Sequence, residues 1–263
     1  MSAILLDDKI VHYEVLGRGR PIIFLHGWVG SWRYWVPAMQ TAAMSFRAYG
    51  IDLWGFGDTA HDPAGYSLEK QANLLDLFMQ EMGIGKVALI GHGLGGLTAI
   101  LFAKKYPDVV DRLMVIDVPF EIKAVAPRLR SPASPADLAD WLLGRDSLTE
   151  PVRTDAPKAD PAAIITSFNY LDATNLMSVM DAMITPCLIV HGLNDPAVRT
   201  LEYERVQAMS VLIHQIILEE SGHFPMLDES SRFNRLMTDF LALMSGDSPR
   251  ELLLKEEWKR RVR

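Results

Sequence analysis

The stretch Val87-Ala88-Leu89-Ile90-Gly91-His92-Gly93-Leu94-Gly95-Gly96 decides the fold. An apolar, β-branched run enters a glycine-rich turn and leaves it at once as a helix-period segment, Leu94 to Lys105. Strand, sharp turn and helix in immediate succession form the context of a nucleophile elbow, Gly-x-Ser-x-Gly, which holds a side chain above a sheet on a strained turn. In open α/β sheets ligands bind at the carboxyl ends of the strands, where such a turn lies. The same glycines could be mistaken for a dinucleotide loop, but their position late in the chain argues against it.

Working outward, short apolar runs alternate with helical stretches. The strand candidates are Ile4-Leu6, Ile10-Leu16, Ile22-Leu25, Phe46-Ile51, Val87-Ile90, Leu113-Ile116, Leu188-Val190 and Ile213-Leu218. Several are apolar on both faces, as parallel strands covered by helices should be. Helix candidates are Ser67 to Glu81, Leu94 to Lys105, Arg199 to Met209 and Ser230 to Met244. Ser67 is a good cap, followed by Leu68, Ala72, Leu75 and Phe78 on one face. The alternation predicts an α/β fold with a mostly parallel, twisted sheet of about eight strands and helices on both faces.

The alternation stops between residues 119 and 184. Six prolines from Pro127 to Pro161 interrupt that region, and its helical pieces Pro135–Leu143 and Ala162–Met183 carry exposed-looking Trp141, Leu142, Phe168, Tyr170 and Leu171. This predicts a helical cap at 119–184 over a core formed by 1–118 and 185–245. Residues 246–263 read as a C-terminal tail helix, whose Leu252-Leu253-Leu254 and Trp258 alternate with charges. It could dock on the body or across a homodimer.

Further segments line up with the elbow. His26-Gly27-Trp28 ends an apolar strand, and Asp52-Leu53-Trp54-Gly55-Phe56-Gly57-Asp58 forms an Asp-x-x-Gly-x-Gly turn. His191-Gly192-Leu193-Asn194-Asp195-Pro196 follows one strand, and Ser221-Gly222-His223-Phe224-Pro225 follows the last. On these residues the chain resembles the α/β-hydrolase fold family over nearly all its length, in the order elbow, acid, histidine.

The resemblance implies His223 as general base, Asp195 as the carboxylate that orients it, and the Trp28 and Leu94 N–H groups as an oxyanion hole. It also exposes a departure, because Gly93 stands where the family has its nucleophilic serine. A glycine cannot attack a carbonyl, so the covalent acyl-enzyme route is closed. Three explanations stay open: an engineered change in a serine hydrolase, a non-catalytic relative that binds a ligand or partner, or an enzyme in which His223 activates water, or a substrate proton, without covalent catalysis.

Of the remaining candidates, Asp117 reads first as a strand-end hydrogen-bond acceptor, although some relatives place the acid there. His92 reads as a packed or solvent-facing turn residue that could approach a substrate. His26 is expected to orient its own loop. Trp54, Phe120 and Trp141, with His92, suggest a mostly apolar pocket suited to an ester, lactone or uncharged aromatic substrate.

Composition bounds the rest. With 263 residues, 49% hydrophobic and 22% charged, the chain reads as one ordinary globular domain. A net charge of −7 gives no nucleic-acid footprint. The single cysteine, Cys187, lies in an apolar run and excludes an intramolecular disulfide. The first residues, Met1 to Asp8, do not read as a signal peptide, and no apolar run approaches the roughly 20 residues that span a bilayer. The expected address is therefore the cytoplasm and the expected partner a small molecule. No Cys, His and carboxylate set has metal-ligand spacing, so neither metal nor other cofactor is expected.

Overall fold

A computed structural model describes residues 2–131, 134–143 and 147–254. Its eight strands form one sheet, and each covers a stretch that the apolar pattern predicts. They are β1 (Ser2–Leu6), β2 (Lys9–Gly17), β3 (Arg20–Leu25), β4 (Phe46–Ile51), β5 (Val87–His92), β6 (Val110–Ile116), β7 (Cys187–Gly192) and β8 (Ile213–Leu218). The order across the sheet is β1-β2-β4-β3-β5-β6-β7-β8. β1 and β2 run antiparallel at one edge, and from β4 onward every pairing is parallel. β5 and β7 are buried at every residue, which is why they read as continuous apolar runs without alternation.

Helices cover both faces. In chain order they are α1 (Val36–Ala42), α2 (Leu68–Glu81), α3 (Leu94–Lys105), α4 (Pro127–Arg130), α5 (Pro135–Leu142), α6 (Glu150–Asp155), α7 (Pro161–Ala173), α8 (Leu176–Asp181), α9 (Tyr203–Gln207), α10 (Pro225–Asp228) and α11 (Ser230–Leu241). Ser67 caps α2, its side chain accepting from the Lys70 N–H. None of the described helices is long and apolar enough to cross a membrane.

Some sequence expectations change. The stretch Arg199 to Met209 forms only the short α9, because its first residues run as coil alongside residues 124–126. Ala162–Met183 is two helices, α7 and α8, because Asn175 stops one and caps the other, accepting from the Ser178 N–H. Leu142, Phe168 and Leu171 are buried, not exposed, and Trp141 and Tyr170 are half-buried. The tail begins as a 3-10 turn at Pro249–Leu254, with Leu252 buried, rather than as an α-helix. Trp258 and the basic residues after it lie outside the described residues.

Chain order reverses beside β3, which has β4 on one flank and β5 on the other. Such a switch point opens a crevice at the carboxyl ends of the strands. The loops leaving β3 and β5 carry Trp28 and Gly93, so topology alone brings these two residues face to face.

Candidate active site

The turn after β5 is held from both sides. The Gly93 N–H donates to the Ile116 carbonyl, and the Gly95 N–H donates to the carbonyl of His26. Gly93 has φ 47° and ψ −110°, a conformation that strains a residue with a Cβ. Gly95 is required for a different reason: a Cβ there would stand 2.4 Å from the Leu25 carbonyl oxygen. The strand and the helix that follows it can therefore pack this closely only through glycine.

The acid and the histidine meet. His223 Nδ1 lies 2.9 Å from Asp195 Oδ2, and both side chains are sealed from solvent. Asp195 Oδ1 accepts from the Ala197 N–H at 2.7 Å, which fixes the carboxylate. Burial disfavours a charged imidazole, but the Asp195 carboxylate outweighs it and holds the His223 pKa above its usual value. Asp195 moves the opposite way: burial pushes it up, and the neighbouring imidazole pulls it further down. His223 Nε2, the atom a general base would use, is buried with no hydrogen-bond partner.

Directly over the turn stands Trp28. A Cβ built on Gly93 would lie 2.6 Å from Cζ3 of this indole. The indole stacks on His223 with ring centroids 6.2 Å apart and on Phe168 at 5.1 Å, and its Nε1–H donates to Ser167 Oγ at 2.9 Å. The open apolar pocket expected over the elbow is thus filled by an aromatic side chain. Gly93 leaves that space free, and Ser167 and Phe168, from a distant part of the chain, hold the indole in it. Two surface cavities lie elsewhere, one at the opposite ends of β3, β5 and β6 beside Arg20, Lys86 and Arg112, the other between Ala103 and Ile184.

His92 belongs to the same cluster and is wholly buried, so it is packed rather than solvent-facing. Its Nδ1 lies 2.9 Å from Tyr34 Oη and its ring sits 4.7 Å from that of His223. Burial, helped by the charge of His223, drives its pKa well below the usual value. His26 orients its own loop: Nδ1 approaches the Gly27 carbonyl and Nε2 accepts from the Leu53 N–H. Trp54 and Trp141, expected to line a pocket, have other neighbours. Trp54 packs on Gly65 and is bracketed by backbone hydrogen bonds with Gln71, while Trp141 lies beneath the Arg128 guanidinium. Phe120 is buried just beyond β6.

Asp117 accepts from the Gly192 N–H and pairs with His191, Nδ1 to Oδ1, at 2.9 Å. Burial pushes its carboxyl up to about 6, with His191 pulling the other way. Sequence reasoning gave His191 no role, since the pair forms only when β6 and β7 lie side by side. Along the chain no Cys, His and carboxylate set has metal-ligand spacing, but the fold gathers such groups in space. His92, Asp117 and His223 each offer a donor atom within 4.8 Å of the others, as do Asp117, His191 and Asp195. Spacing along the chain could not show this, because three strand ends supply the residues.

Residues 22–236 match a family model described as the Alpha/beta hydrolase family. The chain belongs to that family. Among curated relatives, a putative carbamate hydrolase RutD of Yersinia enterocolitica is 26% identical over 94% of this chain and 97% of its own length. A pimeloyl-[acyl-carrier protein] methyl ester esterase of Vibrio campbellii is 24% identical over 88% of this chain and 98% of its own. A soluble epoxide hydrolase of a Corynebacterium strain is 36% identical, but over only 46% of this chain and 42% of that protein. Among solved alpha/beta hydrolases, the enol-lactonase of Burkholderia xenovorans superposes with a TM-score of 0.80 at 19% identity, covering 92% of this chain and all of that one. A serine-to-glycine mutant of the N-acyl homoserine lactonase AidH superposes at 0.77 with 20% identity, covering 91% and 96%.

Proposed function

We propose that this alpha/beta hydrolase cleaves a small, mostly apolar carboxyl ester or related acyl compound without a covalent intermediate. One observation carries the reading: the His223–Asp195 hydrogen bond is intact, with His223 Nε2 buried and unengaged, while the neighbouring turn carries no nucleophile. In this role His223 Nε2 takes a proton from water as the water oxygen bonds to the acyl carbon, Asp195 stabilises the imidazolium, and the Trp28 and Leu94 N–H groups receive the oxyanion, whose collapse breaks the acyl–oxygen bond while the imidazolium returns the proton to the leaving alkoxide. The printed names of the carbamate hydrolase and methyl ester esterase relatives favour an acyl compound. Substrate entry requires the Trp28 indole to leave its place over Gly93.

The decisive experiment is turnover of short-chain p-nitrophenyl esters by the unaltered chain and by His223→Ala and Asp195→Asn. General-base assistance of this kind is worth about 10²–10⁴-fold, so each variant should lose activity on that scale. Turnover that survives His223→Ala unchanged rejects the assignment. A second reading, a silent ligand-binding protein on the same fold, is favoured by the position of Trp28. It predicts no turnover in any of these proteins.

A further inference from the structure

The buried polar cluster between the ends of β5, β6 and β8 contains more functional groups than the proposed hydrolysis uses. His92, Asp117 and His223 are each 0% exposed, and each offers a donor atom within 4.8 Å of the others. Each also has one buried atom without a hydrogen-bond partner: His92 Nε2, Asp117 Oδ2 and His223 Nε2. Buried polar atoms in folded proteins are almost always paired with protein, water or an ion, so three in one cluster need an occupant.

The other atom of each group is already engaged. Tyr34 Oη lies 2.9 Å from His92 Nδ1, His191 Nδ1 is 2.9 Å from Asp117 Oδ1, and Asp195 Oδ2 is 2.9 Å from His223 Nδ1. This is the pattern of ligated metal sites, where an outer partner fixes the orientation and tautomer of each ligand. The second trio, Asp117, His191 and Asp195, differs. Its Asp117–His191 contact is itself a hydrogen bond, and each of its members already has a partner.

We propose that His92, Asp117 and His223 form a binding site for one divalent transition-metal ion. Two imidazoles and one carboxylate make a borderline donor set. It suits Zn²⁺, Co²⁺ or Fe²⁺ and disfavours Mg²⁺ and Ca²⁺, which take oxygen ligands. A tetrahedral site with bonds of about 2.1 Å has donors about 3.4 Å apart, a spacing that falls inside the 4.8 Å within which the three donor atoms lie. The inference does not depend on ester hydrolysis. The free dyad can serve as a base, and the metal site is read by binding.

The test uses full-length, tag-free protein stripped with a chelator and titrated with Zn²⁺ by calorimetry and with Co²⁺ by visible absorption. One ion per chain is expected, with the intense d–d bands of low-coordinate Co²⁺. His92→Asn and Asp117→Asn should each weaken Zn²⁺ binding at least about tenfold, the smaller loss seen even for outer-shell changes. His61→Ala, at an exposed position, should leave binding unchanged. Circular dichroism of each variant shows whether it is folded, and for a variant that is not, His223→Gln, which also removes one ligand, replaces it. No uptake by the unaltered chain, or uptake that persists equally in the folded variants, overturns the site and leaves the cluster to water. A metal ion on His223 Nε2 would take the nitrogen that the proposed base uses, so ester turnover is measured on the metal-free protein and uptake on its own, and the two readings fail separately.

Discussion

Gly93 and Trp28 have to be understood together. Placing a serine at residue 93 meets two obstacles. A Cβ must adopt φ 47°, and it must displace an indole carbon 2.6 Å away. The backbone part costs about 1–3 kcal/mol. The steric part should vanish when Trp28 is removed, so Gly93→Ser should cost less stability in a Trp28→Ala background than in the unaltered chain. Urea unfolding of the four proteins measures this coupling. Equal costs in both backgrounds would mean the indole is not what bars a side chain there. On the proposed reading of residue 93 as the nucleophile position, a burst of p-nitrophenol is expected only in the double variant. At this scale the sequence was informative about identity and silent about contact. Gly93, Asp195 and His223 could be picked out from their motifs, whereas Trp28 was named only for its backbone N–H. That its ring would fill the elbow depends on Phe168 and Ser167, which approach from a distant part of the chain.

Among the elements, α7 has a role no periodicity could reveal. It presents Ser167 and Phe168 to Trp28, holding the indole by one hydrogen bond and one stacking contact. Ser167→Ala leaves the indole N–H buried and unpaired, which should cost about 1–3 kcal/mol in urea unfolding. Acrylamide quenching of tryptophan fluorescence should rise as the ring loosens. An unchanged unfolding midpoint would show that the hydrogen bond does not hold it. The strands were legible because two-sided burial writes itself as uninterrupted runs such as Leu113 to Ile116. The helices of residues 119–184 were only partly so. Ala162–Met183 looks continuous on paper, but Asn175 offers the backbone a local hydrogen bond and divides it. Leu142 and Leu171 seemed exposed because the surface that covers them belongs to other parts of the chain.

Across the whole molecule, residues 119–184 are tied to the β3 and β4 loops by a charged cluster. Arg33 pairs with Asp58 at 2.7 Å and Asp155 at 2.9 Å, Lys158 pairs with both carboxylates at 2.9 Å, and Ser31 donates to Asp155. Hydrogen bonds from Lys158 and Arg33 hold the Asp58 carboxyl down to about 2. Burial works against Asp155, but Ser31, Lys158 and Arg33 together keep it below the usual range. A carboxylate with a depressed pKa stabilises the fold fully above the ordinary value near 4 and loses that contribution as pH falls through its folded value. Melting temperature should therefore drop between about pH 4 and pH 2, and less steeply in Asp155→Asn. Identical slopes would show that other groups govern acid unfolding. The sequence by itself determined the sheet and the order of its loops, and it singled out Asp195 and His223, which the fold brings into hydrogen-bond contact, because burial periodicity and turn chemistry are local properties. Only the tertiary structure decided what surrounds them: the indole over the turn, the Asp117–His191 pair and the buried trio. Those contacts join strand ends and loops far apart in the chain, and their distances are set by how the sheet and helices pack.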